Sequence, residues 1–280
     1  MGTSFPEFAA NIIAGVEILR GQYDPFILSS TALGTAIGSD NIQITLVVGI
    51  VALITTLSAS KTFLRRDYLP MIGVSILVLL FSLDFFLSQW EALALIIGYV
   101  VYLWWVWRRE RAERKISPTV AALVPPSRSP WNDSFLLFLG LSGLLLAAEL
   151  VFRSTVFFVD QFHLSGSLIG VAIIGVATAL PELTTSLAAA RKKATKISLG
   201  ILVGSNTVNM SLGIGLGAIF AGYQVSRTIF SYDLISRLVL PLIVLVLFWK
   251  GTVGKREAVF LIALYVAYVI LRLVFFPVDY

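Results

Sequence analysis

Two glutamates stand where the surrounding sequence leaves a charge unprovided for. Glu7 follows Pro6 in GTSFPEFAANIIAG (residues 2–15), and Glu182 follows Pro181 in ATALPELTTSLAAA (residues 177–190). Neither stretch holds a Lys or Arg. A carboxylate in an apolar layer is costly unless a partner, water or a bound ion meets it, so a cation is the natural counter-charge. The proline before each Glu lacks an N–H and breaks the preceding helix. Backbone carbonyls freed in this way are tolerated in an apolar layer only where they line a cavity. Carbonyls, carboxylates, hydroxyls and amides are hard oxygen donors, suited to Ca2+ or Na+ rather than to soft metals. Helical spacing agrees, because Thr3, Glu7 and Asn11 share one face, as do Thr178, Glu182 and Ser186. Ser39 with Gln43, and Ser205 with Asn209, repeat the four-residue spacing further along. Asp40 lies about 100° around the helix from Ser39 and is expected to miss the site.

These residues form a repeat. Thr3, Pro6 and Glu7 match Thr178, Pro181 and Glu182 at an offset of 175. GTAIGSDNIQITL (34–46) then matches GILVGSNTVNMSL (200–212) at an offset of 166, pairing Gly34 with Gly200, Gly38 with Gly204, Ser39 with Ser205 and Gln43 with Asn209. The first copy therefore carries nine extra residues, which we place in the EILRGQYDP segment. A Gly-xxx-Gly pair alone packs helices, and Pro-Glu alone often opens a soluble helix. Two motifs in the same order in both halves outweigh those readings. The four glycines are expected to let helices approach closely.

The elements that must position these motifs are membrane spans. The 280 residues are 58% hydrophobic and 13% charged, where a soluble domain carries roughly a quarter charged residues. Apolar segments lie at 8–19, 27–60, 69–88, 91–107, 133–160, 165–190, 197–222, 232–249 and 257–276. Most approach the ~20 residues that a bilayer requires. Residues 108–132 are charged, then Pro- and Ser-rich, and read as a loop between halves at 1–107 and 133–280. There is no cysteine, and His163 is the only histidine, so thiolate and His-cluster metal sites are excluded. The net charge of +5 reflects basic residues at the ends of spans rather than a nucleic-acid partner. When sides alternate at each span, 16 Lys and Arg fall on one side and 5 on the other. The positive-inside rule then puts the 108–132 loop in the cytoplasm and the C-terminus outside. The span beginning at Pro6 runs outward and that at Pro181 inward, so the repeats are inverted, as in many secondary transporters. Asp84, Glu91 and Glu149 sit near span ends or outside the repeat and are expected to be interfacial or structural.

With those motifs in view, the chain resembles the Ca2+/cation antiporter superfamily, the sodium/calcium exchangers. Their alpha-repeats read Gly-Thr-Ser-x-Pro-Glu followed by Gly-Ser-Asn-x-x-Asn. The first copy matches at Gly2, Thr3, Ser4, Pro6, Glu7, Gly38 and Ser39, and the second at Thr178, Pro181, Glu182, Gly204, Ser205, Asn206 and Asn209. The resemblance implies an all-α polytopic membrane protein of two inverted repeats, each of about five transmembrane helices, with the first truncated at its N-terminus. It implies that Glu7 and Glu182 bind Ca2+ and that Thr3 and Thr178 lend backbone carbonyls. Ser4, Ser39 and Ser205 would serve Na+ or Ca2+ sites, with Gln43 and Asn209 at the centre. The implied activity is antiport of Ca2+ against Na+ by alternating access in the plasma (inner) membrane. Ca2+ and Na+ would be substrates, with no cofactor and no enzymatic chemistry.

Departures from the pattern keep other readings open. Gly-Thr-Ser becomes Ala177-Thr178-Ala179 in the second copy, so one hydroxyl is missing, and Gln43 stands where Asn or Asp is typical. Exchange of Ca2+ for H+, with protons carried by Glu7 and Glu182, is the alternative within transporters. A truncated, transport-inactive remnant is the alternative outside them. A membrane enzyme would need a nucleophile–base or metal-ligand cluster, and the sequence suggests none.

The second half carries residues 133–177, about one and a half spans, before its Glu motif. At the 175-residue offset, the equivalent segment would begin about 42 residues before Met1. The DNA immediately upstream is therefore expected to encode these residues in frame, as one apolar span and a glycine-rich half-span. Sequencing the locus tests this, and a frame closed by stop codons would refute it.

Overall fold

A computed structural model describes residues 2–114 and 165–279 continuously, with individual helical positions between 131 and 161. The expected span 133–160, Glu149 and His163 therefore lie wholly or partly outside the described residues. Helix α1 (Phe5–Arg20) starts at the Pro6 position, where a missing N–H costs nothing, and ends on Gly21 at φ 68. Helix α2 (Pro25–Ile54) follows; the Asp24 carboxylate caps it by accepting from Phe26 N at 2.8 Å. Helix α3 covers residues 61–81 and is capped by Ser60 Oγ, which accepts from Phe63 N at 3.1 Å. Helix α4 (Gln89–Arg114) begins where Glu91 accepts from Ser88 N at 2.8 Å. Asp84 accepts from Phe86 N in the preceding turn at 3.2 Å, so both acids have the structural roles expected of them.

In the second half, α5 is Gly166–Arg191, α6 Thr195–Ala221, α7 Ile229–Trp249 and α8 Lys255–Phe275. Helix α5 is interrupted at Ala179, just before Pro181, where a turn replaces regular helix. Among the described residues, six helices are long and apolar enough to cross a membrane: α2, α4, α5, α6, α7 and α8. Two sequence boundaries move. The segment read as 27–60 ends at Ile54, and α3 starts eight residues before the expected 69. Helix α4 continues to Arg114, so the first residues assigned to the 108–132 loop are helical. Arg108 and Arg109 there stack over Trp104 and Trp105 at 4.1 and 4.3 Å.

The offset of 166 runs through the whole architecture. Strand β1 (Leu57–Ser58) pairs antiparallel with β4 (Thr252–Val253), and β2 (Phe86–Leu87) with β3 (Tyr223–Gln224). β3 lies 166 residues after β1, and β4 lies 166 after β2. Each half thus pairs one strand with each strand of the other. The same offset carries the π-helical turn Gln43–Val47 onto Asn209–Gly213. It also carries a tie between helices: Tyr102 Oη donates to Asp67 at 3.5 Å, and Tyr268 Oη donates to Asp233 at 3.0 Å. The nine extra residues of the first copy do not form a long loop. Four extend the end of α1, one widens the turn and four extend the start of α2.

Helix α2 packs along the first half of α5 through backbone contact. A Cβ on Gly38 would lie 2.5 Å from Val171 Cα, one on Gly34 2.6 Å from Ser167 O, and one on Gly170 2.5 Å from Thr31 O. Gly200 and Gly204 behave differently from the expectation. No heavy atom among the described residues would lie within 4 Å of a Cβ on either, and both line a cavity of about 520 Å³ with Ser58, Arg66 and Lys196. The charge count also changes. Arg237 and Arg272, two of the five basic residues placed on the sparse side, are buried and ion-paired with Asp40 and Asp233. They are internal charges rather than loop charges, which sharpens the asymmetry.

Gly38→Ala is expected to destabilise the protein by about 1–3 kcal/mol, because the added methyl meets backbone that cannot yield. Gly73→Ala, on an open helix face, is expected to be neutral or stabilising. Thermal unfolding in detergent measures both, and equal behaviour of the two variants would contradict the packing argument.

Candidate cation site

Proline placement and the π turns aim the predicted side chains inward. Glu7 sits in the first turn of α1, and Glu182 three residues past the break in α5; both are fully buried. Each carboxylate takes a hydroxyl from the following helix. Ser39 Oγ donates to Glu7 Oε1 at 2.6 Å, and Ser205 Oγ donates to Glu182 Oε1 at 2.9 Å. These two bonds are images of one another under the repeat. Ser4 breaks the symmetry: its hydroxyl lies 2.8 Å from Ser205 Oγ and 3.5 Å from Glu182 Oε1. The position equivalent to Ser4 is Ala179, which has no hydroxyl to offer Glu7. Thr3 also lies beside Glu182, whereas the Thr178 hydroxyl turns to Gly175 O at 3.3 Å. Ser4 stands three residues before Glu7, so its contacts with Glu182 and Ser205 bring the starts of the two glutamate-bearing helices together.

The amides bridge the halves. Asn206 Nδ2 donates to Gln43 Oε1 at 2.8 Å, and Gln43 Nε2 donates to Ser39 Oγ at 3.0 Å. Asn209 Nδ2 donates to Asp40 Oδ1 at 3.0 Å. Because Asp40 is the repeat equivalent of Asn206, and Gln43 of Asn209, these are again one contact seen twice. Both ends of the Gln43 amide are therefore engaged. Among the described residues, nine buried side-chain oxygens have no hydrogen-bond partner; four belong to these residues, Glu7 Oε2, Glu182 Oε2, Asn206 Oδ1 and Asn209 Oδ1, and the others are on Ser29, Ser30, Asn41, Ser186 and Ser198. A buried oxygen without a donor is costly, and a hard cation supplies what is lacking. Among the described residues, no three His, Cys, Asp or Glu gather in a metal-ligating group, so neutral oxygens must complete any coordination by the two carboxylates.

A family profile described as sodium/calcium exchanger protein matches residues 1–108 and 134–274. The chain belongs to the sodium/calcium exchanger family. It is similar to CaxA of Alkalimonas amylolytica, with 31% identity over 225 residues, covering 79% of this chain and 67% of CaxA. The fold resembles the H+/Ca2+ exchanger CAX, with TM-score 0.75 and 17% identity over 96% of this chain and 70% of CAX. It also resembles the sodium-calcium exchanger NCX_Mj, with TM-score 0.66 and 24% identity over 96% of this chain and 82% of that one. The chain is accordingly a membrane antiporter of this family and not an enzyme.

In this exchanger the structure forms three buried hydrogen-bonded groups from the expected residues: Glu7 with Ser39, Gln43 and Asn206; Glu182 with Ser205 and Ser4; and Asn209 with Asp40 and Arg237. Asn11 shares the Glu7 face as expected, but it meets the backbone rather than the carboxylate: its Nδ2 donates to Glu7 O at 2.9 Å, while Tyr223 Oη donates to the Asn11 carbonyl at 2.7 Å and lies 3.4 Å from Asn11 Oδ1. Two participants were missed by sequence reasoning. Asn206 stands inside the quoted Gly-Ser-Asn motif and could have been found by pairing it with Asp40 at the 166-residue offset. Arg237, which donates Nε to Asp40 Oδ2 at 3.1 Å, gives no motif signal. Only its place mid-span in an apolar helix marks it.

Asn206→Leu is expected to weaken cation binding by about tenfold, the value of one oxygen contact to a charge. The loss should exceed that of Gln43→Leu, whose oxygen is already occupied. Equilibrium binding of radiolabelled Ca2+ compares them, and a larger loss for Gln43→Leu would reverse the assignment.

Proposed function

We propose that this exchanger moves Ca2+ against Na+ by alternating access, with Glu7 and Glu182 as the charged ligands. The observation that carries the reading is that Glu7, Glu182, Asn206 and Asn209 each have one polar atom held by a side chain from another helix and keep one buried oxygen unpartnered. Two carboxylates neutralise one divalent ion, and a neutral complex crosses a low-dielectric layer at far lower cost than a charged one. Thr3 and Thr178 lend carbonyls beside the broken helix starts. Ser4, Ser39 and Ser205 complete the Na+ and Ca2+ shells, and Gln43 orders the centre through Ser39 and Asn206. Residues 1–107 and 133–280 are inverted halves joined by the cytoplasmic segment 108–132. The protein lies in the plasma (inner) membrane with its C-terminus outside.

One observation favours a second reading. Glu182 has two serine hydroxyls within reach and Glu7 only one. Fewer neutral oxygens suit a proton better than a coordinated Na+, so H+/Ca2+ exchange is the competing scheme.

Glu7→Gln and Glu182→Gln are each expected to abolish Ca2+ flux in proteoliposomes. Near-normal flux in both variants would remove the site from transport. In the unaltered protein, an imposed Na+ gradient at constant pH is expected to drive Ca2+ uptake. Uptake driven by a pH gradient alone would replace Na+ with H+.

A further inference from the structure

Asp40 and Arg237 form a fully buried ion pair at 3.1 Å between α2 and α7. The repeat shows that the fold does not demand this pair. The equivalent of Asp40 is Asn206, and the residue 166 positions before Arg237 is Met71, which is buried among apolar neighbours. One half has Asp with Arg and the other has Asn with Met, so the two arrangements have equal net charge. A buried ion pair rarely stabilises more than a well-packed neutral pair, which leaves its presence beside the site unexplained by packing.

The chemistry of the contact supplies a reason. An Asn at position 40 could meet Asn209 with either amide flipped, because each partner would both donate and accept. An ionised carboxylate only accepts. Opposite Asp40, Asn209 can present only its Nδ2, and its Oδ1 is forced to the other side, where it has no protein partner. Arg237 Nε occupies the second Asp40 oxygen, so Asp40 does not itself compete for the cation. The guanidinium cancels the Asp40 charge and leaves Glu7 and Glu182 as the net charge of the cluster. We propose that Asp40 and Arg237 are a positioning pair that sets divalent over monovalent selectivity, by fixing the Asn209 oxygen toward the ion and holding the cluster at two negative charges. This rests on the cation-binding reading of the site above.

The test measures Ca2+ and Na+ affinities of the full chain in detergent, by radiolabelled Ca2+ binding and its displacement by Na+, alongside thermal unfolding. Asp40→Asn leaves Arg237 uncompensated and frees Asn209 to flip, so Ca2+ affinity is expected to fall by about tenfold or more, and Na+ affinity by less, since attraction scales with ion charge. Arg237→Met is expected to move the Na+/Ca2+ affinity ratio in the opposite direction by adding a third negative charge. The double variant Asp40→Asn, Arg237→Met copies the arrangement of the other half. It should fold and recover most of the Ca2+ affinity, with a ratio still about threefold from the unaltered value because Asn209 is no longer held one way round. If the single variants do not fold, the double variant carries the test. A ratio unchanged in the double variant, or affinities that fall only in step with thermal stability, would overturn the pair's role while leaving the site intact. Failure of the unaltered chain to bind Ca2+ would instead overturn the reading of the site on which the role depends.

Discussion

The cost of a charge away from water organises this protein. Glu7, Glu182, Asp40 and Asp233 are all fully buried, and each has a specific answer. Asp40 and Asp233 are met by Arg237 and Arg272. Among the described residues, Glu7 and Glu182 receive hydroxyls and no cationic side chain, and each keeps one oxygen unpartnered. That contrast separates structural acids from functional ones more clearly than burial does. The paired acids join helices, whereas the acids left short of positive charge are the ones proposed to meet an ion.

The rest of the structure brings those two unpaired acids together. Pro6 lies in the first turn of α1 and Pro181 just past the break at Ala179, so each glutamate stands at the start of a helix. Gly34, Gly38 and Gly170 let α2 and α5 approach at backbone distance. The π turns at Gln43–Val47 and Asn209–Gly213 begin at the two central amides, a placement typical of functional sites. Exchanged strands and exchanged amide contacts then tie the halves so that each completes the other's half-site.

The repeat makes departures from symmetry informative. Ala179 in place of Ser4's equivalent removes one hydroxyl from the Glu7 side. Asp40 with Arg237 in place of Asn206 with Met71 adds two opposite charges on one side only.

The sequence by itself determined the class of the molecule and singled out the residues proposed to carry its chemistry. Apolar spans, the duplicated Pro-Glu and Gly-Ser motifs and their four-residue spacings are local properties, and local spacing dictates which residues share a helix face. Glu7, Glu182, Ser39 and Ser205 were therefore legible in advance. What only the tertiary structure decided were contacts between distant segments, because no periodicity within one helix specifies which neighbour a side chain meets. Arg237 looked like a charge on the sparse side and is an internal partner of Asp40. Asp40 does point away from Glu7, as its angle on the helix required, but its destination is Asn209. Gln43 and Asn206 look alike in sequence as amides beside the site. Which of them keeps an unpartnered oxygen depends on donors supplied across the interface between halves, and that is set by three-dimensional packing rather than by spacing along the chain.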